Sequence, residues 1–481
     1  MNKKMGISLL MVCLLPTFSA LADVTNIPGL HYYELQNGLE LFVLENHVVP
    51  LTNIQITFRA GAITQEPDTA GLFHLFEHML FKGNRRYPSQ SEFVAARKKL
   101  GVGEWNGGTS TEYTEYHFTI PSAKTEEGIS FWAEAVRYPL FTEEELIAES
   151  KVVVNEIRGY LNDPARQWEE GLTYELFSRY PWRRDISGPE INISSVTEAG
   201  MKEIQNTYYV PNNTALFVSG DVDPDEVLTM TEEHFGDWEK GDNIAAYDPH
   251  PAIGEDQLNY FVDENFYQGL ALFDIRMRGP DVLADPEATY AADVLLKLIE
   301  NPACPFKDNI FNKVANLYHK DYISTHYWTQ RDGGQIFFRT YMVAGPETNV
   351  FETTEAFRQA VAEENQAIID NPDYFSNEDF ELVKRILEDE TIIALENPTS
   401  FVSTMSFWWS TATTEYYFSY VPNMKKIDHA DIKKYLEDYV MGTPSVVGVK
   451  INPSSVNTEH ALAAGYKELN SENAYWWREQ E

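Results

Sequence analysis

Two periodicities run through this chain. From Tyr32 to Leu44 apolar and polar residues roughly alternate on either side of Asn37-Gly38, and Leu51 to Ala60 places Ile54, Ile56 and Phe58 at every second position. A period of two marks a half-buried strand, and Asn-Gly is a preferred hairpin turn. Thr109 to Ile120 is rich in β-branched and aromatic residues and is stopped by Pro121, which predicts a further strand. Between these stretches the period is helical. Helices are predicted over Ser89 to Leu100, over Lys124 to Tyr138, and from Phe141 to about Tyr160, the last opened by Thr142 and Glu145 as a capping box. Gly101 to Gly108 reads as a loop. Asn213 to Asp225 reads as strand, turn and helix cap.

The same order returns later in the chain. Gly269 to Gly279 mirrors the strand that ends at Gly61. Helical stretches follow at Pro286 to Ile299 and Asp308 to Tyr318, then a strand at Gly334 to Ala344, then long helices at Thr348 to Ile369 and Asn377 to Leu395. Tyr439 to Pro453 mirrors Tyr208 to Gly220. Each half is a strand-rich opening, helices and a closing strand, so the chain is expected to be α+β, two related domains packed together. The polar stretch Gly241 to Glu255, with Pro249 and Pro251 flanking His250, is the expected linker between a domain at 23–240 and one at 256–481.

Candidate chemistry enters at His74-Leu-Phe-Glu-His78, inside Gly71 to Asn84. On a helix, positions three and four apart share a face. Two imidazoles so placed can hold one Zn²⁺, and Glu77 beside them can take a proton from water. This is the inverted form of the H-E-x-x-H zinc motif. Asp68 or Thr69 is the expected cap of this helix. Glu149 and Glu156 are seven residues apart on the next predicted acidic helix, hence on one face, near Leu146, Val153 and Ile157. A carboxylate there needs a partner; a solvated acidic helix is the alternative.

Composition narrows the setting. The 481 residues are 43% hydrophobic, so the chain can bury a large core. Acidic residues number 74 against 37 basic ones, a net charge of -37, which argues against nucleic acid as a partner and is compatible with basic peptides. Lys3 and Lys4, an apolar run from Ile7 to Phe18 and Ala20-Leu21-Ala22 read as a signal peptide over residues 1–22, which predicts export across an inner membrane to the periplasm. No other apolar run reaches the length of a membrane span, so no stable membrane insertion is expected. Beyond that segment Cys304 is the one cysteine, so no intramolecular disulfide is expected.

Leu35-Gln-Asn-Gly-Leu39, Gly71 to Gly83, Asn106 to Thr109, Glu149 to Ile157 and Gly220-Asp-Val-Asp-Pro224 together resemble the pitrilysin/insulinase family of zinc metallopeptidases, in particular half-length members similar in size to mitochondrial processing peptidase subunits. The resemblance implies one half of a clam-shell peptidase, with mostly antiparallel sheets packed with helices. It implies one Zn²⁺ per chain, His74, His78 and Glu156 as ligands, Glu77 as catalytic base and Glu149 in support. It implies a peptide substrate lying as an added strand at Asn106 and Gly107, where Gly107 replaces the family's usual Ala and loosens the substrate register. Active members carry an Arg and a Tyr seven residues apart in the later half. Aligned on Tyr318 the Arg position is Phe311; shifted by one, the pair is Asn312 and His319, with Lys313 as another charge nearby. No arginine occurs between Arg278 and Arg331. The resemblance therefore implies a heterodimer whose partner supplies Arg and Tyr. A homodimer, or a non-catalytic peptide-binding or assembly subunit, is the alternative.

Overall fold

The computed structural model describes residues 27–478 apart from 243, 245–247, 346, 395, 396 and 457. The expected signal peptide and part of the expected linker lie outside the described residues. The strands form two six-stranded sheets. The first contains β1 (Leu30–Glu34), β2 (Glu40–Glu45), β3 (Leu51–Phe58), β4 (Glu104–Thr109), β5 (Thr114–Pro121) and β6 (Thr214–Gly220), in the order β1-β2-β6-β3-β5-β4. The second contains β7 (Gln257–Val262), β8 (Leu270–Arg278), β9 (Ser324–Trp328), β10 (Gln335–Val343), β11 (Ser445–Ile451) and β12 (Lys467–Leu469), in the order β12-β7-β11-β8-β10-β9.

The inferred duplication is present in this topology. The run β7-β11-β8-β10-β9 repeats β2-β6-β3-β5-β4, with the first pair parallel and the rest antiparallel in both. The halves differ at the outer strand: β1 pairs antiparallel with β2, while β12 pairs parallel with β7. The fold is thus α+β, with two mostly antiparallel sheets packed with helices.

Five helices of the first half position the candidate chemistry: α1 (Leu72–Leu80), α2 (Gln90–Leu100), α3 (Thr125–Arg137), α4 (Glu143–Leu161) and α5 (Pro164–Leu176). Each half also lends a helix to the other's sheet. Trp168 of α5 meets Phe261 of β7, with ring centroids 6.2 Å apart. In return, the helix Pro398–Thr411 lies on the first sheet, where Ser406 shares a hydrogen bond with Thr57 at 2.8 Å and the Trp409 indole N–H donates to Glu40 at 2.8 Å. Phe261, Leu272, Val446 and Leu469 accordingly sit in the same apolar core as the first sheet. Within the stretch expected as a linker, His250 is buried; its backbone N–H and ring Nδ1 both bond to Asp332, at 3.0 and 2.7 Å. Among the described residues, no helix is long and apolar enough to cross a membrane.

Three expectations need correction. The stretch expected as a loop at Gly101 to Gly108 contains β4, because pairing from Glu104↔Thr119 to Thr109↔Thr114 outweighs the poor strand propensity of Asn-Gly-Gly. The strand expected from Thr109 to Ile120 is broken by a hairpin, in which the Ser110 N–H donates to the Tyr113 carbonyl at 2.7 Å. The helix expected over Asp308 to Tyr318 ends at Lys313, and Asn316 beyond it has φ 64°, outside the helical region.

Glu112, at the tip of the β4–β5 hairpin, is 4% exposed and accepts a hydrogen bond from the Arg331 backbone N–H of the second half at 2.6 Å. Burial pushes its carboxyl up to about 7, against the pull of Arg331 and Arg184. The unfolded-state value is about 4.3, so the fold favours the neutral form. That contribution is fully present below about pH 4 and is lost as pH rises through about 7, at a cost of up to about 3 kcal/mol. Glu112→Gln is expected to flatten this slope: its melting temperature should exceed the wild type's at pH 8 and match it near pH 4, as read by circular dichroism.

Candidate active site

The helix α1 leaves little to chance in how it is placed. Leu72, Phe73, Leu75, Phe76, Met79 and Leu80 are buried, which leaves His74, Glu77 and His78 as a half-buried polar stripe. The N-cap is Gly71, not Asp68 or Thr69. Its N–H donates to the Gln65 side-chain oxygen at 2.8 Å, and the Gln65 amide donates to the carbonyls of Trp182 and Asp185 at 2.7 and 2.8 Å. Gly71 has φ +86°, and a Cβ there would stand 2.3 Å from the Ser187 carbonyl oxygen. The close approach of that loop, rather than a side-chain cap, decides where α1 begins.

The predicted face on α4 meets the α1 stripe. Thr142 caps α4 by accepting from the Glu145 N–H at 3.4 Å, one of the two bonds of the expected capping box, and the helix carries Glu149 and Glu156 toward the two imidazoles. Glu156 Oε2 lies 3.9 Å from His74 Nε2 and 3.6 Å from His78 Nε2. One donor atom from each of the three residues falls within 4.8 Å of the others. Tetrahedral zinc with bonds of about 2.1 Å spaces its ligand atoms about 3.4 Å apart, so these side chains fit the ion with small adjustments. His78 Nδ1 hydrogen-bonds to Glu149 Oε1 at 2.8 Å, which turns Nε2 toward Glu156.

The electrostatics follow from burial and from these partners. Burial, aided by the neighbouring His78, pushes the His74 imidazole down to about 4, so it is neutral at ordinary pH, as a metal ligand must be. For His78, burial pulls down, but the hydrogen bond to Glu149 and the charges of Glu77 and Glu156 raise it overall. Burial raises the Glu149 carboxyl, but His78 and Lys82 outweigh it and hold Glu149 ionised. Glu77 is raised by burial, opposed by His78 and by Thr109.

Two contacts here were not among the residues picked out from sequence. Lys82 ion-pairs with Glu149 Oε2, completing a chain from His78 through Glu149 to Lys82. Lys82 lies two residues past the end of α1 at Leu80, in the turn where its N–H donates to the Met79 carbonyl at 3.0 Å. Thr109, at the end of β4, donates its hydroxyl to Glu77 Oε2 at 3.1 Å. Lys82→Met is expected to weaken zinc binding about tenfold by freeing Glu149, with partial recovery in Lys82→Arg; competition with a chromogenic chelator measures both.

Asn106 and Gly107 lie on β4 outside this cluster. Asn106 is exposed and pairs with His117 across the sheet. Gly107 rests against Phe81, where a Cβ would stand 2.8 Å from Cζ of that ring. The glycine makes room for Phe81, so loosened register is not needed to explain it.

Family profiles match most of the chain. One, described as Insulinase (Peptidase family M16), matches residues 41–190; a second, Peptidase M16 inactive domain, matches 195–387. The chain belongs to the M16 insulinase family of peptidases. It is 27% identical over 207 residues to a Bacillus subtilis protein named uncharacterized zinc protease YmxG, a match covering 43% of this chain and 50% of the relative. The matched part spans half or less of the first curated relatives' own length. The fold is similar to a solved protease from Helicobacter pylori, with TM-score 0.71, 18% identity, and coverage of 88% of this chain and 100% of that one. It is similar also to the first half of the periplasmic protease PqqL from Escherichia coli, with TM-score 0.71, 17% identity, and coverage of 91% and 96%.

The region where an M16 Arg and Tyr were sought holds other side chains. Asn312 is exposed. Lys313 is tied to Glu363 and Glu364 at 3.3 and 3.4 Å. Tyr318 is 48% exposed and packs on Tyr322, with ring centroids 5.2 Å apart. His319 lies near Phe311, with centroids 6.3 Å apart, and its Nδ1 accepts the Asp321 N–H at 3.3 Å.

Proposed function

We propose that this chain is a zinc-dependent endopeptidase that hydrolyses peptides or unfolded segments, acting as the zinc-bearing subunit of a dimer. The convergence of His74, His78 and Glu156 donors beside Glu77, next to a free sheet edge, carries the reading. His74, His78 and Glu156 hold one Zn²⁺, and Glu149 with Lys82 keeps His78 in the right tautomer. Zinc bound there supplies Lewis acidity, which lowers the pKa of water toward about 7 and polarises a carbonyl. Glu77 takes the proton from the attacking water and returns it to the leaving amine. The Thr109 hydroxyl orients Glu77 for that transfer. A peptide adds as a strand along β4, held by backbone hydrogen bonds, with Asn106 and Gly107 at the contact.

The two halves form domains at 23–240 and 256–481, with zinc in the first alone. The pattern from Lys3 to Ala22, together with the periplasmic location named for PqqL, supports a periplasmic location. A second reading, a non-catalytic subunit, is favoured by one observation: the later half lacks an arginine between Arg278 and Arg331, and Lys313 is engaged by Glu363 and Glu364. In the peptidase reading, a related partner supplies Arg and Tyr, and a homodimer is the other assembly. Zinc content and peptide cleavage, measured for this chain alone and mixed with a related chain that carries Arg and Tyr, separate these. Turnover confined to the mixture supports the heterodimer, and turnover by the chain alone supports a homodimer. A zinc-free, inert mixture overturns the peptidase reading.

A further inference from the structure

We propose that the free edge of β4 selects its peptide by charge: Arg97, held over the Trp105 ring, receives a carboxylate side chain from a strand added there. This rests on the peptidase reading and names the substrate class at the same site. β4 ends the first sheet with β5 on one side only, so its outer backbone groups offer a template for another strand. The same strand touches Glu77 through Thr109.

Trp105, Gly107 and Thr109 share one face of β4 by the strand period of two. Their partners across the sheet, Phe118, Tyr116 and Thr114, are buried, so this face turns toward α1 and the core. Along it stand Thr109 with Glu77, Gly107 with Phe81, and then Trp105, which is 41% exposed and meets Phe81 edge-on with centroids 5.1 Å apart. The Arg97 guanidinium carbon lies 3.3 Å from the centre of the Trp105 ring. Arg97 is half-buried on α2, and among the described residues it has no hydrogen bond or ion pair. Among the described arginines, Arg179, exposed over Tyr180, is the other one held by a ring contact alone. The ring contact holds the guanidinium in place, and its N–H donors can serve a carboxylate.

The opposite face of β4 carries the other sign. Glu104, Asn106 and Gly108 lie there, and their cross-strand partners include His117 and Glu115, which sit 3.7 Å apart. A peptide residue level with Trp105 and turned toward α1 therefore meets a cation, while its immediate neighbours in sequence point to carboxylates. Shifting an acidic residue by one position turns it to the wrong face. The net charge of -37 on its own suggests basic peptides; the edge demands an acidic residue at one position.

The test uses the full-length, zinc-loaded Glu77→Gln variant, which binds without cleaving. A labelled, alanine-rich nine-residue peptide carries one Asp, walked through every position, and binding is read by fluorescence anisotropy. One position is expected to bind about tenfold tighter than the all-alanine parent, the worth of one charge-assisted hydrogen bond, with its two neighbours weaker than the parent. Arg97→Gln removes the maximum, and Arg97→Glu replaces it with a preference for Lys at the same position. A flat Asp scan, a maximum that survives Arg97→Gln, or no binding of any peptide overturns the proposal. Failure of the peptidase reading shows separately, as zinc-loaded wild type that cleaves none of these peptides either alone or mixed with a related chain that carries Arg and Tyr.

Discussion

Glu77→Gln is expected to keep its zinc and lose hydrolysis by about a thousandfold or more, within the range a single general base contributes. Glutamine has the same shape and can still accept the Thr109 hydroxyl that Glu77 Oε2 accepts at 3.1 Å. It cannot take a proton. Glu77 is no part of the donor set of His74, His78 and Glu156, so metal content should stay at one ion per chain, as measured by plasma mass spectrometry. Wild-type turnover in this variant would remove Glu77 from the mechanism. Loss of zinc would mean that its role is structural.

Glu156→Ala should act in the opposite way and abolish zinc binding first. In the proposed zinc site Glu156 gives the one anionic ligand atom, 3.6 and 3.9 Å from the two imidazole Nε2 atoms. Its side chain is 37% exposed, so truncating it leaves no buried charge behind. Zinc affinity should fall by more than about a hundredfold, beyond what loss of a supporting residue costs. The melting temperature of the metal-free protein should barely move. A variant that binds zinc like wild type would place the third ligand elsewhere. The contrast with Glu149 is physical: that carboxylate is 7% exposed between His78 and Lys82, and removing it leaves a half-buried ammonium without its partner as well as freeing a histidine.

Several elements were readable from sequence because their signals are local. Helical spacing puts His74, Glu77 and His78 on one face, and the seven-residue interval does the same for Glu149 and Glu156. Thr142 announces its helix by capping chemistry, and it accepts the N–H three residues on. The strand order repeated in the two sheets was foreshadowed by the matching openings and endings of the two halves. β4 carries no such local signal. Asn106-Gly107-Gly108 has weak strand propensity of its own, and its strand exists because β5 pairs with it.

What the sequence by itself determined is which residue types can do the chemistry and which of them share a helix face, since both depend on spacing of a few residues. Only the tertiary structure decided how those faces meet. It brought Glu156 to the imidazoles, set Lys82 behind Glu149, placed Thr109 on Glu77, and started α1 at Gly71 because another loop passes 2.3 Å from where a Cβ would be. It also left Arg97 on Trp105 without a carboxylate partner among the described residues. Apart from Arg97 on Trp105, these contacts join residues far apart in the chain, so no periodicity carries them; they follow from packing two sheets and their exchanged helices around a shared core.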